Sequence, residues 1–241
     1  MYARYRSQSF VLKKEDKGEV DELFTIYTKE FGKLEVLGKG IKKIKSKLRA
    51  SINLFYLSEI EFIQGKTYKT LTDAILIEKF KNIRKSLIRV KAIYSISEIL
   101  DRVIGGQEKD ERVWNLLTEV FFKLNSPKIK NPFFKLIFYY FLWNLLSILG
   151  YRPELLFCAI CRGGLKQKEL YFSSKDGGLI CLKCQKKKPL TKKIEPETVK
   201  ILRLLIEKNW QILERLKIEN RYLKELEFIS KNYFSFIFGQ P

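Results

Sequence analysis

The chain has 241 residues, with 47 Lys and Arg against 27 Asp and Glu, a formal charge of +20 and no histidine. An excess this large points to polyanionic partners, and a hydrophobic fraction of 46% over this length excludes global disorder. Without histidine, the Ser/His/Asp and Cys/His nucleophilic systems, His-ligated metals and imidazole pH switches are all excluded.

The opening residues MYARYRSQSFVLKK lack the apolar run of a signal peptide, so export is not expected and a reducing cytoplasm is. Residues 1–78 read as strands: Ser9–Lys13, Leu23–Thr28, Gly32–Leu37 with Leu34 and Val36 on one face, a long run Ala50–Phe62 at period two, and Thr67–Ile77. Five strands with one long basic loop predict a small closed barrel of the OB type.

After Ile77 the period becomes helical. Phe80, Ile83, Leu87, Val90 and Tyr94 define one face of an expected continuous helix, with Lys81, Lys85 and Arg89 as a basic back. Gly105-Gly106-Gln107 breaks the pattern, Trp114–Leu124 resumes it, and Ser126-Pro127 to Asn131-Pro132 breaks it again. Phe133–Leu149 is the most apolar stretch, but at this length and with Lys135 and Asn144 in it it reads as a central buried helix and not as a membrane span. Short extended pieces, LYFSS and LICL, flank Asp176-Gly177-Gly178; a lysine run, Lys186–Lys188, and Pro189 follow. A helical face then returns at Val199, Leu202, Leu205 and Ile206, with a last helix over Arg221–Asn232.

The sharpest motif is Cys158-x-x-Cys161, nineteen intervening residues, then Cys181-x-x-Cys184. Two such turns each aim two thiolates at one ion, so the spacing predicts a single structural zinc with no open coordination position. The competing reading is a thiol–disulfide pair or buried cysteines. Arg162, Lys166, Lys183 and Lys186 stand close by in sequence to offset the formal charge of about −2 of a four-thiolate zinc.

A second feature is a window without acids. Between Glu35 and Glu59 there is no carboxylate, yet Lys39, Lys42, Lys43, Lys45, Lys47 and Arg49 fall within it, a repulsion that a phosphate backbone relieves. Gly38-Lys39-Gly40 lacks both the third glycine of a dinucleotide fingerprint and the Lys-Ser/Thr ending of a P-loop. Lys79–Lys91 and Val120–Pro153 are also free of acids and extend the basic track, or are a solvated back. Phe24, Tyr27, Phe55 and Tyr56 lie on the expected strands and could stack on bases, although a barrel this small needs large side chains for its core. The carboxylate pairs Glu59/Glu61 and Glu195/Glu197 are weak candidates for catalysis, so no enzymatic activity is expected.

Three stretches, GKGIKKIKSKLRASINLFYLSEIEF (38–62), LGYRPELLFCAIC (149–161) and EPETVKILRLLI through NRYLKELEFI, resemble the RecO family of bacterial recombination mediators. The resemblance implies a non-enzymatic, cytoplasmic, nucleoid-associated protein that binds single- and double-stranded DNA and anneals complementary strands. It also implies contact with the C-terminal tail of the single-strand-binding protein, and cooperation with RecR in loading RecA. Its organisation would be an OB domain over 1–78, a helical domain beginning over 79–157, a zinc module over 158–190 and C-terminal helices over 191–241 that complete the helical domain. By motif match, the six loop cations take the DNA role and the four cysteines the zinc; Lys81, Lys85 and Arg89 form a secondary basic face. Lysine in place of arginine in the loop serves as a point charge for phosphate and forfeits bidentate base contacts. An alternative function of another kind is a zinc-containing OB-fold protein that binds RNA or works in translation.

Overall fold

Continuous apolar runs and alternating apolar residues together build the first sheet of the computed structural model, which describes residues 3–129, 133–166, 169–187, 191–213 and 215–239. Its strands are β1 (Arg4–Lys17), β2 (Asp21–Thr28), β3 (Gly32–Gly38), β4 (Leu57–Ile63) and β5 (Lys69–Glu78). They close into a barrel in the order β1-β2-β3-β5-β4, with β3 and β5 parallel, as the OB-type reading expects. Fourteen-residue β1 makes closure possible: it pairs with β4 through Arg4–Phe10 and with β2 through Ser9–Lys17, and its register shifts between Val11 and Lys13. A bulge of this kind bends a strand from one face of a barrel to the next. Leu34 and Val36, on one face at period two, are buried with Val11, Phe24, Ile26, Ile60 and Phe62 in the barrel core.

One expected strand is much shorter than its alternation suggests. Leu48–Ala50 is a turn of 3-10 helix, Phe55 has a left-handed φ of 62°, and only Leu57 onward joins the sheet. The apolar residues before Leu57 are satisfied by docking instead of pairing: Ile52 enters the barrel core, and Phe55 donates its N–H to Val11 O at 2.8 Å. Tertiary burial here overrides strand propensity.

The helices that follow are α1 (Lys81–Arg84), α2 (Leu87–Val103), α3 (Glu111–Asn125) and α4 (Phe133–Ile148). The expected continuous helix from Phe80 is therefore two helices. Phe80 takes a left-handed conformation because its ring is buried among Phe10, Phe121 and Phe122, with centroids 5.2–6.2 Å away. The chain breaks at Lys85-Ser86, and α2 starts in a new phase. Its buried face is Arg89, Ala92, Ile93, Ile96, Ser97 and Leu100, while Leu87, expected inside, is 88% exposed. The glycine break after α2 stands as read; Asn131-Pro132 lies outside the described residues.

The chain divides into two compact units, 1–138 and 139–241. In the second, a three-stranded antiparallel sheet of order β7-β6-β8 combines β6 (Tyr171–Ser173), β7 (Gly178–Ile180) and β8 (Lys192–Lys193). With it are α5 (Leu182–Gln185), α6 (Pro196–Ile206), α7 (Trp210–Leu213) and α8 (Asn220–Phe238). Val199, Leu202, Leu205 and Ile206 are all buried on α6. Asn144, the polar residue inside the apolar helix, is buried but satisfied, donating to Tyr140 O at 2.8 Å and Leu205 O at 3.0 Å. Among the described residues no helix is long and apolar enough to cross a membrane. Lys188 and Pro189 lie outside the described residues.

Candidate metal centre and nucleic-acid interface

The two CxxC turns converge. All four Sγ atoms of Cys158, Cys161, Cys181 and Cys184 lie within 4.8 Å of one another, with Cys161 and Cys181 sulfurs 3.8 Å apart. Local backbone bonds shape each turn. In the first, Arg162 N–H donates to Cys158 O and Cys158 N–H to Gly163 O, both at 2.9 Å, with Arg162 in the left-handed region at φ 58°. In the second, Gln185 N–H returns to Cys181 O at 2.9 Å, and the Cys181 N–H donates to Cys158 Sγ at 3.4 Å.

These sulfurs do not ionise alike. Burial opposes ionisation of Cys158, but the N–H groups of Cys161, Cys181 and Ile160 outweigh it and bring the thiol down to about 6. Desolvation, and the hydrogen bonds that its S–H donates to the three neighbouring sulfurs, push Cys184 up to about 12. All four sulfurs can be thiolates at once only with a cation between them, and the all-sulfur donor set fits a soft tetrahedral ion.

Glu154, within the stretch 149–161 but not singled out there, braces the first turn. Its Oε1 accepts the N–H groups of Leu156 (2.9 Å) and Phe157 (3.3 Å), and its Oε2 pairs with Arg162 at 2.8 Å. The N–H of Leu156 first, and then that of Phe157 and the Arg162 charge, hold the carboxyl below its usual range. Its backbone also bonds both Gly177 O and Leu179 N, and a side chain on Gly178 would meet Glu154 O at 2.2 Å. A lone acid among cations four residues before a CxxC was the available signal.

In the barrel unit, the loop after β3 is anchored at both ends. Ile41 is 1% exposed and sits in the core against Gly38 and Phe24, while Leu48 packs against the same cluster. Asp21 accepts the Gly40 N–H at 2.6 Å. Lys43, Lys45 and Lys47 between these anchors, and Lys39 and Arg49 just outside them, are exposed. Lys42 differs, being half-buried and paired with Asp16 at 2.7 Å, a partner that sequence distance concealed.

Most of the expected stacking aromatics cannot reach a base. Phe24, Tyr27 and Phe55 are buried, as the volume of a small barrel requires, and Tyr56 lies under Arg84, 5.0 Å from its ring centroid. The secondary basic face is also corrected. Lys81 and Lys85 are exposed, but Arg89 is 9% exposed, donating to Leu124 O at 3.0 Å and Ile129 O at 3.3 Å. It joins Asn82, Lys85, Ser86, Pro127, Ile129 and Phe134 in lining a pocket of about 420 Å³. The phase break at Lys85-Ser86 turns it inward.

Comparison with known proteins agrees with this architecture. Residues 1–80 match the family described as Recombination protein O N terminal, and residues 84–240 match Recombination protein O C terminal. This chain belongs to the RecO family. Among RecO relatives named DNA repair protein RecO, that of Syntrophomonas wolfei is 32% identical over 92% of this chain and 87% of its own length. Those of Alkaliphilus metalliredigens and Thermoanaerobacter are 30% and 28% identical, each over 95% of this chain and at least 90% of the relative. The RecO match thus takes in both the cationic loop and the four-cysteine centre.

Proposed function

We propose that this RecO-family chain is a non-enzymatic mediator of DNA repair. It binds single- and double-stranded DNA through the barrel loop, anneals complementary strands, and helps load RecA, with RecR, onto DNA coated by the single-strand-binding protein. The observation that carries the DNA assignment is the loop itself: five exposed cations on a segment anchored by buried Ile41 and partly buried Leu48, in a window without a carboxylate. Family membership supports the mediator role and the RecR and RecA partners. The four-cysteine centre takes one structural zinc, held by Cys158, Cys161, Cys181 and Cys184. When bound, that ion cross-links the two turns, and all four positions are filled by protein ligands.

The tail of the single-strand-binding protein, in the resembling system acidic with an apolar end, is assigned to the pocket formed by Asn82, Lys85, Ser86, Arg89, Pro127, Ile129 and Phe134. Its lining combines apolar walls with a guanidinium that has no carboxylate in the lining to neutralise it, the combination an acidic peptide terminus selects.

The loop assignment is tested by salt titration of single-stranded DNA binding. Changing Lys43, Lys45, Lys47 and Arg49 to Glu should flatten the log–log slope by roughly 3, at about 0.7 per phosphate contact. A folded variant with the wild-type slope removes DNA from this loop.

A further inference from the structure

The apex of the barrel loop carries an apolar side chain with nothing to pack on. Two successive turns define that apex: Lys43 N–H donates to Gly40 O at 3.1 Å, and Ser46 N–H to Lys43 O at 3.0 Å. They place Ile44 and Lys45 at the two central positions of the second turn. Ile44 is 93% exposed, the most exposed large hydrophobic side chain among the described residues. The neighbouring apolar residues behave oppositely. Ile41 and Ile52 are 1% and 2% exposed, and Leu48 packs on the barrel core, so the same segment buries its flanks and leaves its tip out.

A single exposed isoleucine is ordinary on a protein surface. The surroundings of this one are not. Lys43, Lys45, Lys47 and Arg49 are all exposed around it, and the nearest carboxylates in sequence are Glu35 and Glu59. A polyanion held by these cations is held against Ile44. A polyanion that also offers apolar surface is a single strand of DNA, whose base faces an intact duplex conceals in its stack. The aromatic residues that would otherwise contact bases, Phe24, Tyr27 and Phe55, are in the core.

We infer that Ile44 is a wedge that presses into the base stack of a single strand while the flanking cations hold its phosphates. This deepens the DNA reading of the loop and rests on it. A strand unstacked at the apex presents its bases for pairing, which suits a protein that anneals complementary strands.

The test uses the full-length protein and an oligothymidylate strand carrying one fluorescent aminopurine, whose emission rises on unstacking. Wild-type protein should raise that emission at saturation. Ile44→Ser and Ile44→Ala should abolish most of the rise and weaken binding up to roughly tenfold, the scale expected for losing the burial of a few methylene groups, without changing the salt slope. Ile44→Leu should restore the rise. A full rise with Ile44→Ser, or no rise with wild-type protein that binds the strand, overturns the wedge and leaves the loop as a phosphate clamp. An unchanged salt slope in Lys43→Glu/Lys45→Glu overturns the DNA reading itself, so the two failures are distinct.

Discussion

Trp143 Nε1 donates to Ser230 Oγ at 2.9 Å, joining two buried side chains 87 residues apart in the chain. The indole also stacks on Tyr233 with centroids 5.1 Å apart and meets the edge of Phe172, on the short sheet, at 6.2 Å. The cysteine-bearing segment, between α4 and α8 in sequence, is therefore built into the core of its unit. Ser230→Ala would strand the indole N–H without a partner, at about 1–3 kcal/mol. Denaturant unfolding should show this loss, and Ser230→Thr, which keeps a hydroxyl, should recover part of it.

Removing the metal should propagate to that same ring cluster. Freshly purified protein is expected to hold one zinc per chain by elemental analysis, and chelation should expose four reactive thiols. Because Phe172 of the sheet touches Trp143, near-ultraviolet circular dichroism should change as the ion leaves, with the second unit losing stability as structural metal sites do. Cys161→Ser should reproduce the loss in part. Disulfide-linked pairs with no zinc would sink the assignment.

The loop cations should not contribute equally. Lys42 is held by Asp16, so Lys42→Ala is expected to change the salt slope for single-stranded DNA little. Lys45→Ala, removing an exposed charge, should lower the slope by about 0.7. Equal changes at the two positions would show that the Asp16 pair opens on binding.

Arg89 stacks over the Phe134 ring with its guanidinium carbon 4.5 Å from the centroid, so length and charge can be separated there. Arg89→Met should keep much of the packing and weaken an acidic, apolar-ended tail peptide at least tenfold by calorimetry, about 1.4 kcal/mol. Retained affinity in a folded Arg89→Met protein would move the tail elsewhere.

Two groups in the first unit give stability opposite pH dependences. Asp110 caps α3, accepting Arg112 N–H at 2.8 Å and its guanidinium at 2.7 Å, and these contacts with Arg112 hold its carboxyl below the usual range. Its folded value is lower than its unfolded one, so the stabilisation is present above the ordinary carboxylate value and lost as pH falls through the depressed value. Asp110→Ala should cost about 1 kcal/mol at neutral pH and flatten the acid limb. For Tyr27, burial pushes the phenol from 10.0 up to about 12. That contribution is complete below the unfolded value and lost as pH rises through the folded one. Tyr27→Phe should flatten stability curves over that alkaline interval.

What the residues determine alone is whatever depends on short spacings. Each CxxC fixes two sulfurs on one turn whatever surrounds it, so the four-cysteine centre is legible in the sequence by itself. Leu34 and Val36, or Val199, Leu202 and Leu205, report their buried faces because the period of an element is a local property. The tertiary structure decided where such periods start and stop. Phe80 is drawn between Phe10 and Phe121, and the resulting left-handed backbone and break at Lys85-Ser86 reset the phase of α2. Arg89 therefore faces a pocket, while Leu87 faces solvent. Likewise, alternation over Ala50–Phe62 could not reveal that Ile52 and Phe55 are buried by docking ahead of the strand. Nor could loop composition show which cation Asp16 would take, since an ion pair across a barrel depends on register and closure, which are properties of the whole chain.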